Sequence, residues 1–370
     1  MSHRILFVAA LHHPAQLLQS RAQSPDNPPL FPVHYAFHFW EKVLKKRGYT
    51  LDVFWRNLSG NLQNTKSYSY HEGITPGRIF QAAMRRFPAR MNLDYQRRNA
   101  SLLKQAERFQ PDILWMIGDN FVIYPETLQQ IKDTHNAKII YASGTSPIVF
   151  AHNLERDAAR LYDLVLVNDT YHGMQWLELG AKQMKTLPVS AAIDPDVHYP
   201  RQQKQHDIDL AFIGTLLPET LYSERIHALE AIREFDPAIW SVHHLPESLQ
   251  PYYRGSALGE TMLQILSDAK MTLNTHGDFM RYGGNMRLFE AAGMGTFQLV
   301  DARPGIKTWF NEGEHLMTYE TPNDLHEKVA YYLAHDDERE TIAAAARDHA
   351  LAHHTYAHRL DALETLIVDW

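Results

Sequence analysis

The stretch MTLNTHGDFMRYGGNMRLFEAAGMGTFQLVD, residues 271–301, holds two short apolar runs separated by a polar turn and a helical pattern. Met271–Asn274 and Thr296–Val300 read as strands, and between them the pair Gly283-Gly284 opens a helix. Strand, helix and strand in this order form the unit of a parallel sheet. On the helix, Arg287 and Glu290 sit three residues apart and share one face. Backbone N–H groups at a helix start attract phosphate, and a nearby arginine adds a bidentate clamp. A glutamate one turn further on is placed to accept hydrogen bonds from two ribose hydroxyls. Phosphate beside ribose describes a nucleotide, so the chain reads as an enzyme using a nucleotide-activated donor.

The same alternation runs outward in both directions. In the first half the expected strands are Arg4–Ala10, Thr50–Trp55, Asp112–Ile117, Lys138–Ala142, Asp163–Asn168 and Met184–Pro188, with helices such as Tyr35–Arg47 and Leu93–Phe109 between them. The second half restarts with Ile208–Ile213, Ile239–His243, the two strands above, and His315–Tyr319. Runs such as DILWMI and DLVLV are almost wholly apolar, as strands covered on both faces must be. The fold class is α/β, with two facing Rossmann-like, doubly wound domains and a cleft between them.

At 370 residues there is room for two ordinary domains, here 1–195 and 207–355, with a linker at 196–206 and a C-terminal helix at 356–370. The linker reading rests on the proline-rich, charged run IDPDVHYPRQQK. Two segments resist assignment: Pro14–Pro32 carries five prolines, and Asn57–Gly77 is polar. Loops after strand ends border the ligand crevice of such domains, so either segment could shape an acceptor site or be a surface loop.

A net charge of −7 argues against a dedicated nucleic-acid binder, and the absence of cysteine excludes disulfides and thiolate chemistry. No stretch approaches a membrane span, and the apolar start reads as a buried strand; a cytoplasmic location is expected. His243-His244 and His353-His354 with His358 hint at metal, but no zinc-protease glutamate accompanies them, so no metal site is expected.

The second half resembles the CgeB-like (spore maturation protein-like) branch of GT-B-fold glycosyltransferases. The resemblance is carried by DIDLAFIGT, YSERIHALEAI, the 271–301 block, GIKTWFNEGEHLMTY and HTYAHRLDALETLI, in that order over about residues 207–368. The first half matches more loosely through DLVLVNDTYHGMQWLELGAKQMKTLPVSAAIDP. The resemblance implies a nucleotide-sugar donor, UDP- or GDP-linked, used without cofactor or metal in bacterial polysaccharide or glycoconjugate synthesis. It makes Glu290 the donor-ribose glutamate and Arg287 a diphosphate contact. Gly214 and Thr215 match the turn close to the donor phosphates, Arg225 the arginine of the following helix, and Asn274 and His276 a strand end beneath the same site. Two departures stand out. Tyr282 occupies the position of a second glutamate found in many retaining enzymes, and Ser143-Gly144-Thr145-Ser146-Pro147 replaces paired aspartates.

Each residue also has a structural reading. Glu290 could instead pair with Arg287 or Arg281, Arg287 could simply brace the fold, and the glycine pair could be a tight turn. Arg281 and Tyr282 could line the donor pocket together with Gly283 and Gly284. For the general base that takes the acceptor proton, His12 and His13 after the first strand compete with Asp119 after the third. Eight basic residues (Arg78, Arg85, Arg86, Arg90, Arg97, Arg98, Lys104, Arg108) face only Asp94 and Glu107 across 78–108. They make either a solvated helical face or a docking patch for an anionic acceptor or membrane. The expected function is glycosyl transfer to a glycan, protein or small-molecule acceptor. Its rivals are a nucleotide-sugar epimerase of the same fold, a non-catalytic sugar-nucleotide-binding module, and a nicotinamide oxidoreductase; the last lacks a glycine-rich turn after the first strand.

Overall fold

The computed structural model describes residues 3–11, 14–32, 36–58, 76–203 and 205–370. By its internal contacts the chain divides into two compact units, Met1–Val189 with Leu363–Trp370, and Ser190–Ala362.

The first unit runs β1 (Arg4–Ala9), α1 (Pro14–Gln23), α2 (Ala36–Arg47), β2 (Thr50–Trp55), α3 (Pro76–Met84) and α4 (Leu93–Phe109). It continues with β3 (Ile113–Ile117), α5 (Pro125–His135), β4 (Lys138–Ser143), α6 (Asn153–Asp157), β5 (Leu164–Val167), α7 (Thr170–Glu178) and β6 (Met184–Thr186). The six strands are parallel in the order β2-β1-β3-β4-β5-β6. Strands β1, β3 and β5 are almost entirely buried, which is why they read as continuous apolar runs. Phe7 and Trp40 pack against Trp115 on one side of the core, and Tyr141 stacks on Tyr162 at 4.5 Å on another.

The second unit runs β7 (Ile208–Ile213), α8 (Ser223–Ala231), β8 (Ala238–Trp240), α9 (Glu260–Asp268), β9 (Ala269–Asn274) and α10 (Met286–Met294). Then follow β10 (Phe297–Asp301), β11 (Met317–Tyr319), α11 (Pro322–Ala334), α12 (Asp336–His353) and α13 (Tyr356–Ile367). Its parallel sheet has the order β11-β10-β9-β7-β8. In both sheets the order reverses once, between β1 and β3 and between β7 and β9. An open α/β sheet offers its ligand crevice outside the strand ends at such a switch point.

Two segments differ from expectation, and the C-terminal helix is shared between the units. Within Pro14–Pro32 the chain forms α1, with Pro14 at its start, where a proline's missing N–H costs nothing. The stretch read as a linker packs into the second unit: Arg201 pairs with Glu260 at 2.8 Å, and the Gln205 and His206 N–H groups donate to Asp268. Helix α13 belongs to the second unit as far as Ala362, and the residues from Leu363 on belong to the first.

Candidate functional site

The second unit's switch point is framed by three turns: Gly214-Thr215 after β7, Thr275-His276 after β9, and Gly283–Asn285 before α10. Gly283 and Gly284 both take φ near +103°, a conformation that side-chain-bearing residues avoid. The glycine pair is therefore a requirement of the turn. Asn285 caps α10, its Oδ1 accepting from Leu288 N at 3.1 Å, while its Nδ2 donates to Asn274 Oδ1 at 2.7 Å.

His276 and Asn274 hold this turn in place. The fully buried His276 ring sits 2.6 Å from Asp301 Oδ1 through Nδ1, and its Nε2 accepts from Gly284 N at 3.1 Å. Burial favours the neutral Asp301 carboxyl, yet the hydrogen bonds from His276 and the Arg303 cation outweigh it and hold its pKa below the usual carboxylate range. Arg303 continues the network from Asp301 to Glu224, and Glu224 reaches Arg281 at 3.0 Å. Arg281 is thus an exposed member of an ion-pair chain, and the Tyr282 hydroxyl lies 3.2 Å from Thr308 Oγ1.

Arg225 is also turned to the scaffold. Its Nε donates to Thr275 O at 2.7 Å and its Nη1 to Thr215 O at 2.9 Å, tying the ends of β7 and β9 together. A Cβ on Gly214 would meet the Phe212 ring at 3.0 Å, a tight contact to which the ring would have to yield. The start of α8 already holds an anion: Asp278 accepts from Ser223 N at 2.9 Å and Glu224 N at 3.2 Å. Asp278 and Asp301 were not expected at this site; the only sequence signal for either is an acidic residue just past a strand end.

Arg287 and Glu290 lie side by side as an ion pair, Nη1 to Oε2 at 2.8 Å, with both side chains still partly exposed. Arg287 Nη2 makes only a 3.4 Å contact to Ile213 O, and its Nε is buried without a partner among the described residues. A buried donor left unpaired costs about 1–3 kcal/mol. The Glu290 carboxylate also acts on its neighbours: burial lowers the His198 pKa and raises that of Tyr356, and Glu290 opposes the first shift and adds to the second.

In the first unit, Asp119 follows β3 with φ of +66° and is exposed. It lines a cavity of about 460 Å³ with Phe121, Phe150, His152 and Glu155. Buried Arg56, which the sequence did not flag, donates to Val8 O at 3.2 Å, Ile117 O at 2.8 Å and Gly118 O, lacing three strand ends beneath this edge. His12 and His13 lie outside the described residues. Of the histidines considered for metal, His354 reaches Trp309 O and His358 bonds to Thr355. Among the described residues no group of three or more His, Cys, Asp or Glu is placed to hold a metal ion. No described helix is long and apolar enough to cross a membrane.

Residues 224–365 match the model of a family described as glycosyl transferase-like. Among curated proteins none matches the sequence. Solved structures do match over the whole chain. HepE from Anabaena, crystallised with UDP and glucose, is 12% identical with a TM-score of 0.60, covering 100% of both chains. Sucrose-phosphate synthase from Thermosynechococcus elongatus is 12% identical with a TM-score of 0.62, covering 99% of this chain and 98% of its own. A glycosyltransferase from Rickettsia africae is 11% identical with a TM-score of 0.62, over 98% and 97% of the two chains. The chain thus has the GT-B fold of these structures, and residues 224–365 carry a glycosyl transferase-like domain.

Proposed function

We propose that this chain is a glycosyltransferase of the CgeB-like branch that takes a hexosyl group from a UDP-sugar. The observation that carries the proposal is the Arg287–Glu290 pair, set at the switch point of a domain matched by a glycosyl transferase-like model. UDP is favoured over GDP by the fold's likeness to HepE, which was crystallised with UDP and with UDP-glucose.

In the proposed reaction the bond between the sugar's anomeric carbon and the diphosphate breaks, and a bond to the acceptor oxygen forms. Negative charge grows on the departing diphosphate, and fixed cations or N–H dipoles aimed at that charge lower the barrier. Arg287 supplies the cation, taking the place that a metal ion holds in other transferases. Glu290 accepts from the ribose hydroxyls, each such bond to a charged group being worth roughly 1.5–3 kcal/mol. Binding requires Glu290 to trade part of its contact with Arg287 for the ribose. Arg225, Asn274 and His276 shape the turns without touching the donor, and the acceptor proton goes to Asp119. The acceptor is a glycan, protein or small molecule, and the enzyme works in the cytoplasm.

A thermal-shift screen against UDP-, GDP-, dTDP- and CMP-sugars tests this reading. A ligand that binds only the folded state adds roughly 2.7 kcal/mol at a hundredfold excess over its dissociation constant. Stabilisation by UDP-sugars is expected, and no shift with any nucleotide would overturn the proposal. Incubation with donor alone should leave the sugar's configuration unchanged; its inversion would point to an epimerase.

A further inference from the structure

The corner made by α3, the short turn Ala89–Met91 and the start of α4 is at once basic and apolar. Six arginines and one aspartate stand between residues 76 and 100, in a chain of net charge −7. Arg98 and Asp94 pair in the interior, so the reading of all eight basic residues as one outward face is corrected: Arg98 is buried, and it also donates to Arg56 O at 2.7 Å. The outward charge of the corner rests on Arg85, Arg86, Arg90 and Arg97.

Among these cations stand side chains that a water-facing surface usually hides. Met91 is 63% exposed, Ile79 59%, and Phe87 and Leu93 49% each. The corner is held by the fold. Arg97 lies 5.2 Å from the Phe80 ring, joining α4 to α3, and the Tyr124 hydroxyl donates to Ala89 O at 2.7 Å. Among the described residues, Arg90 alone of the four outward arginines has a carboxylate partner, Glu126 at 2.7 Å, and that pair is itself exposed.

We propose that this corner docks the protein on an anionic lipid bilayer. Arginines attract the negative surface of the membrane, and the apolar side chains enter the boundary between headgroups and acyl chains. Nucleic acid or a charged polysaccharide would use the arginines but leave Ile79, Phe87, Met91 and Leu93 in water. The apolar half of the surface therefore favours lipid. The inference is independent of what the second unit binds.

Co-sedimentation of the full chain with vesicles of phosphatidylcholine, with and without phosphatidylglycerol, tests it. Binding is expected only to the anionic vesicles and should fall in high salt. At about fivefold per arginine removed, Arg85→Gln with Arg86→Gln should weaken it by about 25-fold. Phe87→Ser with Met91→Ser should also weaken it, and both variants should keep the wild-type melting temperature. Equal sedimentation with both vesicle types, or none, would overturn the proposal. So would an unchanged Phe87→Ser, Met91→Ser variant, or stronger binding to double-stranded DNA or dextran sulfate that only the arginine changes abolish; these would identify a polyanion as the partner.

Discussion

His276 Nδ1 lies 2.6 Å from Asp301 Oδ1, and the same ring accepts from Gly284 N through Nε2. A nitrogen that accepts from a backbone N–H carries a lone pair, so the ring proton sits on Nδ1 and points at the carboxylate. The ring thus couples the end of β10 to the left-handed glycine turn ahead of α10.

His276→Ala should leave both the Gly284 N–H and Asp301 without this partner. The expected loss of stability is about 2–3 kcal/mol, with UDP affinity falling because the turn loses its support. Denaturant unfolding and calorimetry on the one variant measure both effects. A variant as stable as wild type would show that the turn stands without this strut.

Arg287→Ala should weaken UDP far more than uridine, because only UDP carries the charge that the guanidinium meets. Calorimetric titration with both ligands decides between the two roles. Equal losses for the two would make Arg287 a brace for Ile213 and Glu290 alone.

Asp119→Asn should lower kcat strongly and leave UDP binding intact, as expected of a group that serves the acceptor. Steady-state kinetics beside a UDP titration separate the two quantities. A mutant with normal kcat would return the role of base to His12 or His13.

Acid sensitivity should come in part from His354. Its pKa is lowered to about 3, chiefly by burial, with Arg359 nearby. The unfolded chain takes up this proton below about pH 6.5 and the folded chain only near 3, so folding is favoured above 6.5 and the advantage is lost as pH falls through that window. Between pH 7 and pH 5 the loss is about 2 kcal/mol. His354→Gln, which keeps a donor for Trp309 O, should lose less over the same range in denaturant unfolding. An identical pH dependence in both proteins would place the sensitivity elsewhere.

The central strands were legible because they are largely apolar runs long enough to cross a buried sheet: DILWMI became β3 and DIDLAFI became β7, within a residue or two. Helix α1 was hidden by five prolines in one stretch, since composition does not tell a proline that opens a helix from those that follow it. The run Asp194–Gln205 has the composition of a linker, and its packing shows only in contacts made after folding, such as Arg201 meeting Glu260 fifty-nine positions away. At the site, the sequence identified the residue types that gather at the switch point but not the direction of their long side chains. Arg225 and His276 were expected as ligand contacts, and the sequence did not show their bonds to the scaffold, because Thr215 O, Thr275 O and Asp301 lie within reach only after folding. Arg56 gave no signal at all, as a lone arginine after a strand is ordinary until three carbonyls converge on it.

Titration of UDP into wild type and Glu290→Gln addresses the donor site most directly. The substitution should weaken UDP by about ten- to a hundredfold, the worth of a ribose hydrogen bond to a charged group. Its melting temperature should stay close to that of wild type. A Glu290→Gln protein that binds UDP as tightly as wild type would contradict the account, and would leave this carboxylate no role beyond its pairing with Arg287.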